Sequence, residues 1–246
     1  MLTGKKYWDT IAGGYSKTGG AKWVRHPWTI RLAGSVFGKK VLELGCGTGV
    51  IISSLAKKGA IGTGVDYSGE MLSEAERIAK TMRVTPRFIR ADIRDLSALK
   101  GETFDLIIVS AVLVTFPSVR QITKILSEAY NVLAPNGTIL IAEPHPFFDH
   151  YMRGFLSDPA KVRSLDYQAK GKKYPFDMVD GAGRSVTSVI YHWRLEDYAT
   201  ALYDAGFTVR RIFEPKPIPS AKQDSAWYAK RVRYAAYLFI EAVKTH

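Results

Sequence analysis

Three glycines stand at every second position, Gly45, Gly47 and Gly49, directly after the run 41–44, which is apolar except for one acid. A run of that length fits a buried strand, and alternate glycines suit neither a strand interior nor a helix interior. Residues 50–59 then carry apolar side chains at helical spacing and end at a glycine. Strand, glycine turn and helix form the first unit of a nucleotide-binding α/β sheet, where a ligand approaches bare backbone.

An acid ends the next predicted strand. Asp66 follows residues 61–65 and lies 21 positions after Gly45. A spacing of about 20 residues places a carboxylate at the neighbouring strand tip, beside the ribose hydroxyls of a bound nucleotide. A carboxylate can accept hydrogen bonds from both hydroxyls, and such charge-assisted bonds are strong. Ser68 serves better than Asp66 as the N-cap of the following helix, so Asp66 is the leading candidate for ligand contact.

The glycine spacing separates two classes of nucleotide. A dinucleotide fingerprint reads G-x-G-x-x-G, but position 50 is valine here. Glu43 followed by Gly45, Gly47 and Gly49 resembles motif I of the class I S-adenosylmethionine-dependent methyltransferases. The resemblance implies a Rossmann-like fold, S-adenosylmethionine as the cofactor, and a cofactor-binding role for these four residues.

The N-terminal segment resembles the same family. Tyr7-Trp8-Asp9 followed by Tyr15 resembles an N-terminal segment of the family's small-molecule branch that closes over the cofactor. An aromatic face can hold a sulfonium cation, and Tyr15 is the residue predicted to do so, whereas the tryptophans are expected to pack within the helix. Arg25 is a candidate partner for the cofactor carboxylate, with a solvated arginine as the alternative.

The resemblance also implies residues around the adenosine part of the cofactor. Tyr67 and Met71 follow the second strand, and a helix-core role is the alternative for Met71. Asp92 follows a third predicted strand, 86–91, where the family's acid accepts from the adenine amino group; capping a turn is the alternative. Ile93 would pack on the ring, and Ser110 at the end of the fourth strand completes the predicted cofactor site.

Residues 144–193 interrupt the alternation of strands and helices. They leave the carboxyl end of the fifth strand, where ligands bind in such sheets, so they are predicted to cover the cofactor and determine the acceptor. One added strand is predicted at 185–193 from its β-branched content. A folded lid without substrate contact would use the same aromatic residues that we predict to bind substrate: Phe147, Phe148, Tyr151 and Tyr191.

Two histidines of this segment, His145 and His192, are the candidate catalytic residues, and a structural role is the alternative for each. A base is needed when the acceptor is an alcohol or phenol, and a nearby carboxylate such as Glu143 could bring a histidine into the useful range. Many relatives carry histidine in the loop after the fourth strand, but Val114 and Thr115 stand there.

These patterns predict an α/β fold: a Rossmann-like doubly wound, seven-stranded, mostly parallel sheet with helices on both faces, an antiparallel last strand and an inserted lid. The 246 residues are interpreted as one methyltransferase domain. Its predicted parts are an N-terminal helical cap (1–34), a cofactor-binding core (35–143), an inserted substrate lid (144–193) and a C-terminal helix and hairpin (194–246).

Composition and charge limit the partners, the location and the kinds of metal site that the sequence predicts. The net charge of +12 raises nucleic acid as a partner, although the basic residues are dense only over 210–233. No apolar run reaches the ~18 residues that span a membrane, and the N-terminus lacks an apolar signal core, so the predicted location is cytoplasmic. The single cysteine, Cys46, excludes an internal disulfide and a multi-cysteine metal site. No metal is predicted.

The predicted function is transfer of a methyl group from S-adenosylmethionine to an oxygen or nitrogen of a small-molecule acceptor, by in-line displacement. One alternative is a tRNA or rRNA methyltransferase that uses the basic surface. Against it, 110–113 replaces the N/D-P-P-Y/F motif that amino-directed nucleic-acid enzymes of this fold carry. The second alternative is a non-catalytic S-adenosylmethionine-binding partner protein. The acceptor's identity and the oligomeric state are not encoded in these patterns.

Overall fold

The computed structural model describes residues 4–15, 21–147, 166–223, 228–229, 232–233 and 235–244. Its strands are β1 (Lys40–Leu44), β2 (Ile61–Asp66), β3 (Arg87–Arg90), β4 (Phe104–Ser110), β5 (Leu133–Pro144), β6 (Lys173–Val179), β7 (Ser185–Tyr191), β8 (Phe207–Phe213) and β9 (Tyr237–Lys244). Its α-helices are α1 (Gly4–Tyr15), α2 (His26–Leu32), α3 (Val50–Ala56), α4 (Gly69–Met82), α5 (Val119–Val132) and α6 (Leu195–Asp204).

Seven of these strands form one sheet, in the order β3-β2-β1-β4-β5-β9-β8. Strands β1 to β5 run parallel, and β9 lies antiparallel between β5 and β8. The chain moves outward in one direction from β1 and in the other from β4. Ligands of such sheets bind at this switch point, beyond the carboxyl ends of the strands. The predicted sheet, including its antiparallel last strand, is confirmed.

Both faces of the sheet are covered, as the continuous apolar sequence of β4 requires. Ile107 and Val109 belong to a buried cluster that includes α5 and α6. Their neighbours in sequence, Leu106 and Ile108, belong to a second buried cluster with α3 on the opposite face. Side chains alternate between the faces of a strand, so the helices on both sides follow directly from this run.

One strand boundary differs from its prediction. The turn signal at 135–137 predicts that the fifth strand starts at 138, whereas β5 starts at Leu133. Leu133 already pairs with Phe104, and a register shift follows on β4 between Phe104 and Leu106. Asn136 takes a left-handed φ of 62° within this segment. An irregular extension of the β4–β5 ladder therefore absorbs the predicted turn.

The inserted segment contains a two-stranded antiparallel sheet, β6 and β7. The sequence predicts β7 but not β6, because Pro175 lies inside that run. The pair forms a hairpin separate from the main sheet, and α1 packs against both α4 and β6. Tyr7, Ile11, Met71 and Met178 form one buried cluster that joins these three elements.

The contact between α1 and the hairpin is a backbone contact. A Cβ built on Gly14 would lie 2.2 Å from the carbonyl oxygen of Val179 and 2.5 Å from that of Asp180. On the preceding residue, Gly13, the nearest atom to such a Cβ is the Cα of Gly181 at 3.4 Å. Only a glycine at position 14 therefore permits this approach of helix and hairpin.

None of the helices in the described ranges combines the length and the apolar character that crossing a membrane requires.

The Gly14 contact can be tested with its own neighbour as control. We expect Gly14→Ala to lower the free energy of unfolding by about 1–3 kcal/mol, because overpacking forces the two backbones apart. Gly13→Ala should be neutral or stabilising by up to about 1 kcal/mol, since alanine favours a helix interior over glycine. Urea unfolding measures both, and equal effects of the two substitutions would contradict the contact.

Candidate active site

The glycine turn after β1 depends on glycine for two reasons. Gly45, Gly47 and Gly49 all have left-handed φ angles, of 66°, 51° and 65°, which side-chain-bearing residues rarely adopt. A Cβ on Gly45 would also lie 2.5 Å from Cγ2 of Val112, and one on Gly49 would lie 2.8 Å from Cβ of Ala75. A Cβ on Gly47 meets nothing closer than the Tyr15 ring at 3.8 Å. The turn is closely packed at its two ends and open at its middle glycine.

A cavity of about 290 Å³ lies over that turn. It is lined from the carboxyl ends of β1, β2 and β4, from the loop after β3, from α1 and from the hairpin. The structure thereby brings together most of the residues that the sequence assigns to the site: Tyr15, Gly45, Gly47, Asp66, Tyr67, Met71, Asp92, Ile93, Ser110 and Tyr191.

Asp66 lies at the tip of β2 and is 7% exposed. Its Oδ2 accepts from the backbone N–H of Gly47 at 2.9 Å, and its Oδ1 accepts from that of Ser68, also at 2.9 Å. Burial raises the pKa of Asp66, while these backbone hydrogen bonds oppose the shift. The backbone N–H of Tyr67 also bonds this carboxylate. Because a carboxylate has roughly four acceptor positions, acceptor capacity remains for one hydroxyl of a ligand.

Asp92 lies in the loop after β3 and is bound by Arg94. The Nε of Arg94 donates to Oδ1 of Asp92 at 3.0 Å, and the Arg94 backbone N–H donates to the same oxygen at 2.9 Å. This hydrogen-bonded arginine holds the pKa of Asp92 below its usual range. Asp92 therefore stays ionised within the cavity wall, while much of its acceptor capacity orients Arg94.

Arg25 is buried between α2 and the end of β4, and it does not line the cavity. Its Nη1 donates to the Oγ of Ser110 at 2.8 Å and to the backbone oxygen of Ser110 at 3.1 Å; its Nη2 donates to the Tyr15 hydroxyl at 3.3 Å. Its Nε is buried without a hydrogen-bond partner among the described residues. Arg25 thus holds two cavity residues, Ser110 and Tyr15, from behind the cavity wall.

Glu43 and Gly49 also lie behind the cavity wall. Glu43 accepts from the backbone N–H of Ile52 at 3.0 Å, in the first turn of α3. Burial raises its pKa to about 8. In this geometry Glu43 fixes the helix after the turn, so its predicted contact with a cofactor would have to be indirect.

The two predicted catalytic histidines lie outside the cavity lining. Nε2 of His145 is 2.7 Å from Oε1 of Glu214. His192 is buried, and its Nε2 lies 2.8 Å from the backbone oxygen of Tyr167. Since neither ring lines the cavity, a catalytic role for His145 or His192 stays a prediction.

The predicted substrate residues divide in a similar way. Tyr191 lines the cavity from the end of β7, whereas Phe147 is 52% exposed and does not line it. Phe148 and Tyr151 lie outside the described residues. Phe176, another aromatic of the segment 144–193, lines the wall opposite the glycine turn. That wall also contains residues that the sequence did not single out, among them Arg94, Phe116, Gln121 and Ser188.

Trp8 also lines the cavity, where packing within the helix was expected. Its ring meets that of Tyr15 edge-on, with centroids 5.9 Å apart. The aromatic content of this segment signalled the contact, but the helical register could not be fixed from sequence. Phe176 had a weaker signal, because β6 itself was not predicted.

Comparison with known proteins identifies the part of the chain that contains the glycine turn as a methyltransferase domain. A family model described as a methyltransferase domain matches residues 41–137. That range contains all of β1 but its first residue, β2 to β4, the glycine turn, Asp66 and Asp92.

Two curated relatives illustrate the range of similarity. An uncharacterised protein of Haemophilus influenzae is 30% identical over 189 residues, which cover 70% of this chain and 73% of that protein. A ubiquinone biosynthesis O-methyltransferase of Vibrio campbellii is 33% identical over 102 residues, which cover 42% of this chain and 43% of that enzyme. The chain therefore spans less than half the length of the named enzyme.

Among solved structures, a Listeria monocytogenes protein provisionally named an S-adenosylmethionine-dependent methyltransferase superposes with a TM-score of 0.71. It is 24% identical and covers 93% of this chain and 100% of its own. At this identity the match establishes the shared fold.

Glu43 makes a prediction about stability. Its folded pKa of about 8 lies above the ordinary value of 4.5, so its contribution to stability is present below about pH 4.5 and is lost as pH rises through 8. Glu43→Gln should remove this dependence. The variant's free energy of unfolding relative to wild type should increase between pH 5 and 8, by up to about 1.4 kcal/mol per pH unit.

Denaturant unfolding at several pH values measures the effect. The surface variant Glu102→Gln is the control, because that carboxylate pairs with Arg87 in solvent, and it should follow the wild-type slope. Parallel slopes for wild type and Glu43→Gln would contradict the raised pKa.

Proposed function

This chain belongs to the S-adenosylmethionine-dependent methyltransferases, and we propose that it transfers the cofactor's methyl group to an oxygen or nitrogen of a small-molecule acceptor. The observation that carries the proposal is the shared cavity. One wall is the glycine turn with the strand-end acids, and the other is an aromatic surface from the hairpin and the start of α5. A nucleotide-derived donor and a small acceptor would meet between these walls.

The described residues fit the cofactor. The open middle of the turn at Gly47 suits a methionine backbone, and the remaining acceptor capacity of Asp66 suits a ribose hydroxyl. The rings of Trp8 and Tyr15 can lie against a sulfonium, since an aromatic face attracts a cation by about 0.5–2 kcal/mol. Arg25 adds a positive charge behind the wall, where it holds Ser110 and Tyr15.

When bound, S-adenosylmethionine supplies an activated methyl group that is open to in-line displacement by an oxygen or nitrogen lone pair. The chain's own contribution is alignment and exclusion of water, which can lower a barrier by several kcal/mol. The hairpin and Phe116 enclose the acceptor side, and Arg94 lies at its rim with its guanidinium 5.8 Å from the Phe116 ring centroid. Ser188, Gln121 and Tyr191 are the polar groups there that could orient an acceptor.

The proposed acceptor has a planar or apolar body, because Phe116, Phe176 and Tyr191 contribute to its side of the cavity. The O-methyltransferase name of the Vibrio relative supports transfer to oxygen. Since the match covers 43% of that enzyme, its acceptor is not transferred to this chain. We also propose that 1–34 and 144–193 act as cap and lid over a core at 35–143, with 194–246 completing the domain, and that the protein works in the cytoplasm.

An acceptor panel tests the function. Formation of S-adenosylhomocysteine should rise above background with at least one aromatic phenol, amine or carboxylic acid, and remain at background with bulk tRNA. Turnover with tRNA alone would favour the RNA alternative. Cofactor binding without turnover over the whole panel would favour a non-catalytic binding protein.

The cofactor half can be tested without an acceptor. Asp66→Asn should weaken S-adenosylmethionine binding at least tenfold, because the lost charged hydrogen bonds contribute roughly 1.5–3 kcal/mol. Calorimetry measures the affinity. Asp95→Asn is the matched control: Asp95 caps a surface turn at Ser97 and does not line the cavity. Equal affinity of Asp66→Asn and wild type would remove Asp66 from the site.

A further inference from the structure

Glu143 is a buried carboxylate at the end of β5 whose partners lie on the neighbouring strand's loop. It is 1% exposed. Its Oε1 accepts from the backbone N–H of Val112 and of Leu113, both at 2.9 Å, and its Oε2 accepts more weakly from that of Val114 at 3.4 Å. Three consecutive backbone donors thus converge on one side chain.

The loop that Glu143 holds forms part of the cavity wall. Ala111, Val112 and Thr115 line the cavity, and Cγ2 of Val112 occupies the space where a Cβ of Gly45 would lie. Ala111 has a left-handed φ of 56°, an unfavourable conformation for alanine that persists only when surrounding contacts impose it. The contact between the loop and the glycine turn therefore depends on these hydrogen bonds.

We propose that Glu143 is a positioning residue for methyl transfer: its ionised carboxylate fixes the turn at 111–114 against Gly45, and protonation of the carboxylate loosens that turn. The part of the proposal that concerns transfer rests on the proposed function, whereas the effect on the turn does not.

The charge on Glu143 makes the turn at 111–114 sensitive to pH. Burial raises the pKa of Glu143 to about 7, while its backbone hydrogen bonds and the positive charge of Arg25 oppose that shift. Tyr198 of α6 faces the same carboxylate, and burial followed by the charge of Glu143 raises the pKa of Tyr198 well above its usual value. Protonation would weaken the charge-assisted hydrogen bonds and give one oxygen a proton, which cannot accept from an N–H.

Stability and positioning should respond to pH in opposite directions. Because the folded pKa is raised, the contribution of Glu143 to folding stability is lost as pH rises from about 4.5 to about 7. The ordered turn, in contrast, is gained as pH rises through about 7. A residue with only a structural role would not order one loop while the global stability declines.

Hydrogen–deuterium exchange of wild type, with no acceptor required, is the first experiment. The protection factors of the Val112 and Leu113 amides should fall about tenfold between pH 8 and pH 6. Unchanged protection over this range in the folded protein would overturn the proposal.

Variants then separate charge from burial. In Glu143→Gln, which keeps the shape without the charge, protection should be low and independent of pH. Glu241→Gln is the matched control, because Glu241 is a buried carboxylate on the adjacent strand β9 whose partners are Arg210 and Arg211. Protection of 112–113 in this control should titrate as in wild type. A titration in Glu143→Gln equal to that of wild type would overturn the assignment.

The role in transfer needs a separate measurement. With an acceptor from the panel, the ratio of wild-type kcat to Glu143→Gln kcat should rise about tenfold from pH 6 to pH 8, with KM for S-adenosylmethionine within twofold. A constant ratio would overturn the role in transfer alone. A titrating turn in a protein that does not bind S-adenosylmethionine would overturn the proposed function instead.

Discussion

Buried carboxylates at the carboxyl edge of the parallel sheet hold the loops from which the site is built. Each one accepts from backbone N–H groups, which offset the cost of removing a charge from water. Asp66 on β2 holds Gly47 in the turn after β1, and Glu143 on β5 holds the turn after β4. In the sheet order β2-β1-β4-β5, the two outer strands therefore fix the loops of the two inner ones.

This arrangement explains why the two inner loops meet so closely. Gly45 leaves β1 and Val112 follows β4, and the valine methyl fills the space of the missing glycine side chain. Arg25 lies behind the same point, where it binds Ser110. Its positive charge opposes the rise in the pKa of Glu43 and of Glu143 that burial causes. The inner wall of the site is therefore backbone that buried side chains behind it hold in position. The outer wall contains residues of α1 and the hairpin.

Sequence reasoning was strongest where a residue type is required by backbone geometry. The glycine turn and Asp66 could be placed because glycine spacing and the distance to the next strand-end acid follow from the βα unit itself. The roles of Glu43 and Arg25 could not be resolved in the same way. Glu43 is next to the glycine turn in sequence, and Arg25 has the charge that a carboxylate ligand would require. Neither residue lines the cavity, however.

The wall of the cavity opposite the glycine turn was its least predictable part. Histidine chemistry drew attention to His145 and His192, yet the nearby acid Glu214 and the Tyr167 backbone are their partners. Phe176 belongs to a strand that the proline at 175 concealed, and its place over the cavity arises from a hairpin that pairs with itself, not with the main sheet. Such tertiary placement has no periodic signal in the sequence.

The helix-to-hairpin contact at Gly14 has a consequence for engineering and for divergence among relatives. Two backbones touch there without an intervening side chain, so α1 and the hairpin have complementary shapes. A change in the path of one would require a matching change in the other. A chimaera that imports a foreign hairpin would need the donor's first helix as well, because the grafted turn would otherwise meet an unmatched surface. Changes to this part of the cavity wall should thus evolve jointly in two segments that lie about 160 residues apart in the chain.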